Sequence, residues 1–287
     1  VDGLRAALLK GGTIYVEPGI YDIPHDNPLL YTSFTNVIGK GEVILRLDLR
    51  ADGYIMVRPK LSGLEGGYSI SNVTFENIIF DGQNSGKQVG LFAACHSKYI
   101  KLNKCEFRNL NSPWHLIEIN SSYDVELNSC IVSNYNYGVD DAKHRTEAVQ
   151  LDFAGSYSQY PFDCLYDNTK CENIKFNSCK FERITTKVTG AIGTHTVTKE
   201  YMPDGVIIYN CSFYDVDICI YAPDFTNLIC DKNRAVNVAT FLVLYPSDNT
   251  GRCNCNVTNN YYDGRNRSKT ISSMNGIPEG RFIFQLN

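Results

Sequence analysis

Tyr99-Ile-Lys-Leu-Asn-Lys104-Cys105-Glu-Phe107 decides the fold, because the chain repeats it. It returns as Asp124-Val-Glu-Leu-Asn-Ser129-Cys130-Ile-Val132, as Asn173-Ile-Lys-Phe-Asn-Ser178-Cys179-Lys-Phe181 and as Gly205-Val-Ile-Ile-Tyr-Asn210-Cys211-Ser-Phe213. An earlier copy, Asn72-Val-Thr-Phe-Glu-Asn77-Ile-Ile-Phe80, lacks the cysteine, and weaker ones begin at Asn227 and Asn254. The starts lie 27, 25, 49, 32, 22 and 27 residues apart. Apolar positions inside each unit alternate and are rich in β-branched and aromatic residues. The unit is therefore a strand; a helical repeat would space its apolar residues by three and four. Strand units at this period predict the turns of a parallel β-solenoid. The interval of 49 is one turn carrying a long excursion, or two turns with one degenerate.

In such a coil, equivalent residues of successive turns stack ~4.8 Å apart. Cys105, Cys130, Cys179 and Cys211 then form one column, and Phe80, Phe107, Phe181 and Phe213 another. The cysteines read as small apolar filling rather than as a metal or redox site. Asn at the corners suits a tight bend, since it tolerates a left-handed backbone.

The 287 residues carry 27 Lys+Arg against 31 Asp+Glu, a net charge of −4 that argues against nucleic acid or anionic lipid as partner. Hydrophobic residues at 43% and charged residues at 20% exclude a disordered chain. No apolar run approaches the ~20 residues that cross a bilayer, so no membrane insertion is expected. The opening VDGLRAALLKGG has no apolar h-region, so no signal peptide is read there. Eleven cysteines is an odd number, and a chain of this length builds a core without staples. Most thiols are expected reduced. Cys164 and Cys171, in one irregular segment, are the pair expected to bridge if any does. Cys253 and Cys255 lack partners at metal-like spacing, so no metal or other cofactor is expected.

Solenoid ends need caps. Leu4, Ala7 and Leu8 have helical spacing after Asp2, read as the N-cap, and Gly11-Gly12 ends the helix. GGTIYVEPGIYDI follows as strand, Pro-Gly turn and strand. Residues 11–21 resemble the opening of pectate-lyase-like right-handed parallel β-helix proteins, and the coil pattern extends the likeness to about residue 262. The resemblance implies an all-β, right-handed parallel β-helix with a short N-terminal capping helix. One domain is expected over 1–287: helix 1–12, coils 13–262, and a C-terminal strand or cap region 263–287. That superfamily holds pectin lyases and hydrolases, epimerases, and bacteriophage tail spikes and appendages. It implies a polysaccharide or cell-surface glycan as partner and a virion (phage tail) or extracellular, cell-surface location. The tail-spike likeness alone suggests a homotrimer.

Between the repeats lies a second set of strands at 90–95, 115–120, 148–153, 191–195, 218–222 and 240–245. Alternation turns Ile117, Ile119, Val149 and Leu151 inward. Two outward columns are then expected, Glu118–Gln150–Gly193–Cys219 and Asn120–Asp152–His195–Tyr221. The Glu118–Asp152 diagonal comes to roughly 8 Å, inside the ~6.5–9.5 Å window of an inverting glycosidase. In a hydrolase, one of Asp152 and Glu118 activates water and the other protonates the leaving oxygen. His195 tunes Asp152, Asn120 and Gln150 hold hydroxyls, and Glu147 is a further acidic candidate. In a lyase or epimerase, His195 or Tyr221 removes the proton α to a uronate carboxylate. Trp114, the only tryptophan, and His115 sit beside the strand as a sugar platform. Each also has a plainer reading: a solvated Asp, a surface ion pair, a turn tryptophan. A non-catalytic glycan-binding appendage and a purely structural coil remain alternatives.

Overall fold

The computed structural model of the chain describes residues 1–64, 66–137, 146–155, 163–186, 189–194, 199–223, 225–245, 255–264, 271–273 and 280–286. A helix, Asp2–Lys10, is followed almost entirely by strands, all paired in parallel. They form three ladders. The first runs through Gly12–Val16, Thr35–Gly39, Ile70–Glu76, Ser97–Asn103, Tyr123–Asn128, Glu172–Asn177, Ile207–Tyr209 and Ile229–Asp231. The second runs through Gly19–Ile23, Val43–Leu47, Ile79–Ser85, Glu106–Leu110, Ile131–Tyr137, Lys180–Thr186, Ser212–Val216 and Arg234–Val238. Cys255–Gly264 and Gly280–Leu286 continue through both, so these two ladders form one 18-stranded sheet. The third is a nine-stranded sheet: Leu29–Tyr31, Tyr54–Pro59, Val89–Cys95, Ile117–Asn120, Val149–Asp152, Ile192–Gly193, Ile218–Pro223, Thr240–Tyr245 and Ile271–Ser273.

Each coil thus contributes one strand to each face, as the repeat predicted. The 49-residue interval is a single turn, because Val125 pairs directly with Ile174. Ladder strands run on past residue 262, where Ile271–Ser273 and Gly280–Leu286 add to the sheets.

The corner between the first and second faces shows why the units look alike. Asn77, Lys104, Ser129, Ser178, Asn210, Lys232 and Asn259 all have φ between 51° and 56°. One left-handed residue per coil turns the chain, and the position imposes this even on Lys. The next residue points into the lumen. There the Sγ atoms of Cys105, Cys130, Cys179 and Cys211 donate to the carbonyls of Phe75, Leu102, Leu127 and Phe176. Asn233 takes the next place in the column and donates to the Ile208 carbonyl at 2.9 Å. The cysteines are buried filling, and they also give a corner carbonyl a donor. Beside them Phe80 stacks on Phe107 at 4.5 Å and Phe181 on Phe213 at 4.9 Å. Burying one such ring stabilises the coil by about 1.5–3 kcal/mol.

The helix lays Leu8 into the N-terminal end of this core, with Val1 and Leu4 packed against it. Its cap differs from expectation. Val1 is the N-cap, while Asp2 is the first helical residue and accepts a 2.6 Å bond from Arg5. Gly11, at φ 75°, ends the helix as its spacing predicted.

The expected Cys164–Cys171 bridge is not formed. The Cys171 thiol instead donates to the carbonyls of Ile119 and Asp152, and Cys164 lies beside Cys95 and His96. Nearness in an irregular segment did not mean nearness in space.

Candidate functional site

The third face carries the expected polar patch. Glu118 pairs with Gln150 and Asn120 with Asp152, which sets two carboxylates and two amides in a square with the carboxylates on one diagonal. Ile117, Ile119, Val149 and Leu151 belong to the core, so the four polar residues point away from the lumen. Asn120 Nδ2 donates to Glu118 Oε1 at 3.3 Å, and Gln150 Nε2 to Asp152 Oδ2 at 3.0 Å. The backbone N–H of Phe153 donates to Asp152 Oδ1 at 2.8 Å. Each amide thus holds the carboxylate of its own strand.

Two expectations need correction. The patch was read as open to solvent, but Glu118 is 6% exposed, Gln150 4%, Asp152 2% and Asn120 0%. The cover comes from parts of the chain outside these strands, which alternation cannot report. Tyr221 was placed beside His195, but it pairs with Gly193, in the Glu118–Gln150 column. The misplacement is two residues, because only Ile192–Gly193 forms strand in that coil. His195 itself lies outside the described residues, as do 138–145 and 156–162.

Glu147 is fully buried at the edge of the square. Its carbonyl bonds His115 Nδ1 at 2.7 Å, and its carboxylate lies 3.9 Å from the same nitrogen. A Cβ on Gly193 would sit 3.3 Å from Glu147 Cγ and 2.5 Å from the Tyr221 carbonyl, so only glycine fits beneath that side chain. Trp114 is half-buried against Ile55, Ala93 and Cys95, together with Leu61 and Cys164. It packs on the outer side of the third face.

A second polar feature escaped the sequence reading. An open groove of about 690 Å³ runs along the ends of the second-face strands. It takes one left-handed residue from each of six coils: Asn84, Asn109, Asn134, Arg183, Asp215 and Asn237. They bond along the coil axis, Asn134 Nδ2 to Asn109 Oδ1 at 3.0 Å, Arg183 Nε to Asn134 Oδ1 at 2.5 Å and Asn237 Nδ2 to Asp215 Oδ1 at 2.5 Å. Asn111, Asn136, Thr185 and Asp217 complete the lining. The clue was the column of Asn, Arg and Asp two residues after the lumen-facing Phe107, Val132, Phe181, Phe213 and Ala235, which the sequence reading did not single out.

Among the described residues, one group brings three possible metal donors together: Cys95, His96 and Cys164, within 4.8 Å of one another.

No protein-family model and no curated protein matches the chain. Solved structures do. PfbA, a surface adhesin of Streptococcus pneumoniae, superposes with a TM-score of 0.68 at 15% identity, covering all of this chain and 75% of that one. The chain has a parallel β-helix fold. A second β-helix, ORF18 of Geobacillus virus E2, gives a TM-score of 0.61 at 12% identity over 96% of this chain, which spans 54% of the viral one. At these identities the likeness is one of fold. Among the described residues, no helix is long and apolar enough to cross a membrane.

Proposed function

We propose that this chain is a glycan-binding β-helix that holds a polysaccharide or cell-surface glycan in the groove of the second face. The observation that carries this reading is the ladder of Asn109, Asn134, Arg183, Asp215 and Asn237, one polar group per coil in an open trough. Amide, carboxylate and guanidinium groups on a rigid frame offer paired donors and acceptors to sugar hydroxyls. Their ~4.8 Å repeat presents them in a line, as a linear chain of hydroxylated rings needs. The two solved neighbours, a surface adhesin and a viral protein, agree with a surface or virion location, which forms part of the same proposal.

Glycan arrays, followed by calorimetry with the strongest binder, test it. Asn136→Ala and Arg183→Gln each remove a groove donor and should weaken binding about tenfold, the worth of one or two hydrogen bonds. A chain that binds no glycan, or whose binding ignores both changes, would sink the reading.

A second reading is favoured by the diagonal of Glu118 and Asp152: acid/base cleavage of the bound polymer at the third face, as an inverting hydrolase. Asp152→Asn should then abolish product formation and leave groove binding intact. An absence of cleaved product from the native chain with its best ligand removes this second reading and leaves the first.

A further inference from the structure

His96 sits at the corner where Val89–Cys95 turns into Ser97–Asn103, with a left-handed φ of 44°. Its Nδ1 is 2.7 Å from the Gly67 carbonyl and its Nε2 is 3.0 Å from the Leu165 carbonyl. A carbonyl only accepts, so each ring nitrogen carries a proton and the ring is an imidazolium. The same bonds clamp two loops together. Gly63 N–H also donates to the Asp163 carbonyl, and Gly67 N–H to Asp167 Oδ2. Into this clamp the second loop brings Cys164, half-buried, against the fully buried Cys95. The two sulfurs and a ring nitrogen lie within 4.8 Å of one another. A thiolate beside an imidazolium, with a second thiol in reach, is the arrangement of a reactive cysteine and its resolving partner.

We propose that Cys164 is a modification site, a reactive thiolate that small disulfides oxidise, with Cys95 resolving the adduct into a Cys95–Cys164 bond. The Cys164 thiolate attacks one sulfur of the small disulfide. A mixed disulfide forms, the old S–S bond breaks, and one small thiolate leaves. Cys95 then loses its proton to solvent and attacks the Cys164 sulfur, expelling the second small thiol. Two protein thiols are oxidised and one disulfide is reduced to two thiols. The product fastens the 163–169 segment to the third face. It does so next to the carboxylate square, since Cys95 pairs with Asn120.

The electrostatics agree. A hydrogen bond from the Cys95 thiol is the largest cause lowering the Cys164 thiol; burial opposes it, and His96 lowers it further, to about 6. Burial alone would lower His96, but bonds to Cys164, Gly67 and Leu165 outweigh it and raise the ring to about 9. A soft metal ion is the competing occupant. The ring nitrogens argue against it, because both present N–H groups to carbonyls and neither a lone pair.

The test uses the full reduced chain. Limiting iodoacetamide at mildly acid pH, read by peptide mass mapping, should label Cys164 about tenfold faster than any other cysteine, since its thiolate fraction is high where ordinary thiols are protonated. Oxidised glutathione should then remove the mass of two hydrogens and link Cys95 to Cys164. Cys95→Ser should keep the fast labelling but stop at the mixed disulfide, and His96→Gln should slow labelling about tenfold. Cys164 reacting no faster than its fellows in the native chain would overturn the proposal whether or not the variants fold. A Cys164–Cys171 link would do the same. So would one zinc ion per chain bound tightly enough to protect both thiols.

Discussion

At the scale of the residue, the Cys164–His96 pair makes a pH argument with two opposed halves. Cys164 is depressed to about 6, so its contribution to stability is complete above the ordinary thiol value of 9.0 and is lost as pH falls through about 6. His96 is raised to about 9, so its contribution is complete below 6.5 and is lost as pH rises through about 9. Between 6.5 and 9 the folded pair keeps its one proton on the imidazole, and the unfolded pair keeps one on the thiol. Equal proton counts mean no slope from the pair. Cys164→Ser removes one half and leaves His96 bonded to two carbonyls. Relative to the native chain, the variant's unfolding free energy should then decline as pH rises above about 6.5, read as the midpoint of urea titrations. Parallel pH curves for the two proteins would show that the ring is not cationic in the fold.

At the scale of the element, the cysteine column ties sequence to stability. Cys130 is wholly buried, and its thiol gives the Leu102 carbonyl a donor at 3.1 Å. Cys130→Val keeps the apolar bulk and removes the donor. The carbonyl then loses the thiol's bond and the chain should lose about 0.5–1.5 kcal/mol, seen as a lower urea midpoint at unchanged slope. An unchanged midpoint would mean that the column is filling alone. This column, the phenylalanine stack and the square of Glu118, Asn120, Gln150 and Asp152 were all legible in the sequence. Two-residue alternation assigns faces, and recurrence at one coil's length assigns neighbours. What could not be read has a common cause, namely that nothing periodic reports it. The burial of Asp152 depends on chain outside the repeating strands. The place of Tyr221 depends on the length of a strand interrupted after Gly193. Cys164 met Cys95 rather than Cys171 because a loop folds back across the third face, and a loop carries no register. The groove was missed for a different reason: its residues recur faithfully, but they vary among Asn, Arg and Asp and lie just beyond the end of the aligned repeat unit.

At the scale of the whole molecule, the coil converts sequence repetition into a ruler. A β-solenoid's stability is close to a sum of nearest-neighbour terms, so its surface is rigid along the axis and identical groups stay in line. The groove column spans six coils, from Asn84 to Asn237. Five intervals of ~4.8 Å give a trough of about 24 Å. A glycan bound along it should gain affinity with each added ring until it fills about 24 Å, and then stop gaining. Calorimetry over a series of oligosaccharide lengths reads this as a break in the free energy per ring. Removing a donor at one end, as in Asn237→Ala, should shorten the length at which the break falls and leave the affinity of the shortest ligands unchanged. Affinity that saturates with a single sugar, or climbs without a break, would place the binding energy elsewhere than in a linear array fixed by the coil.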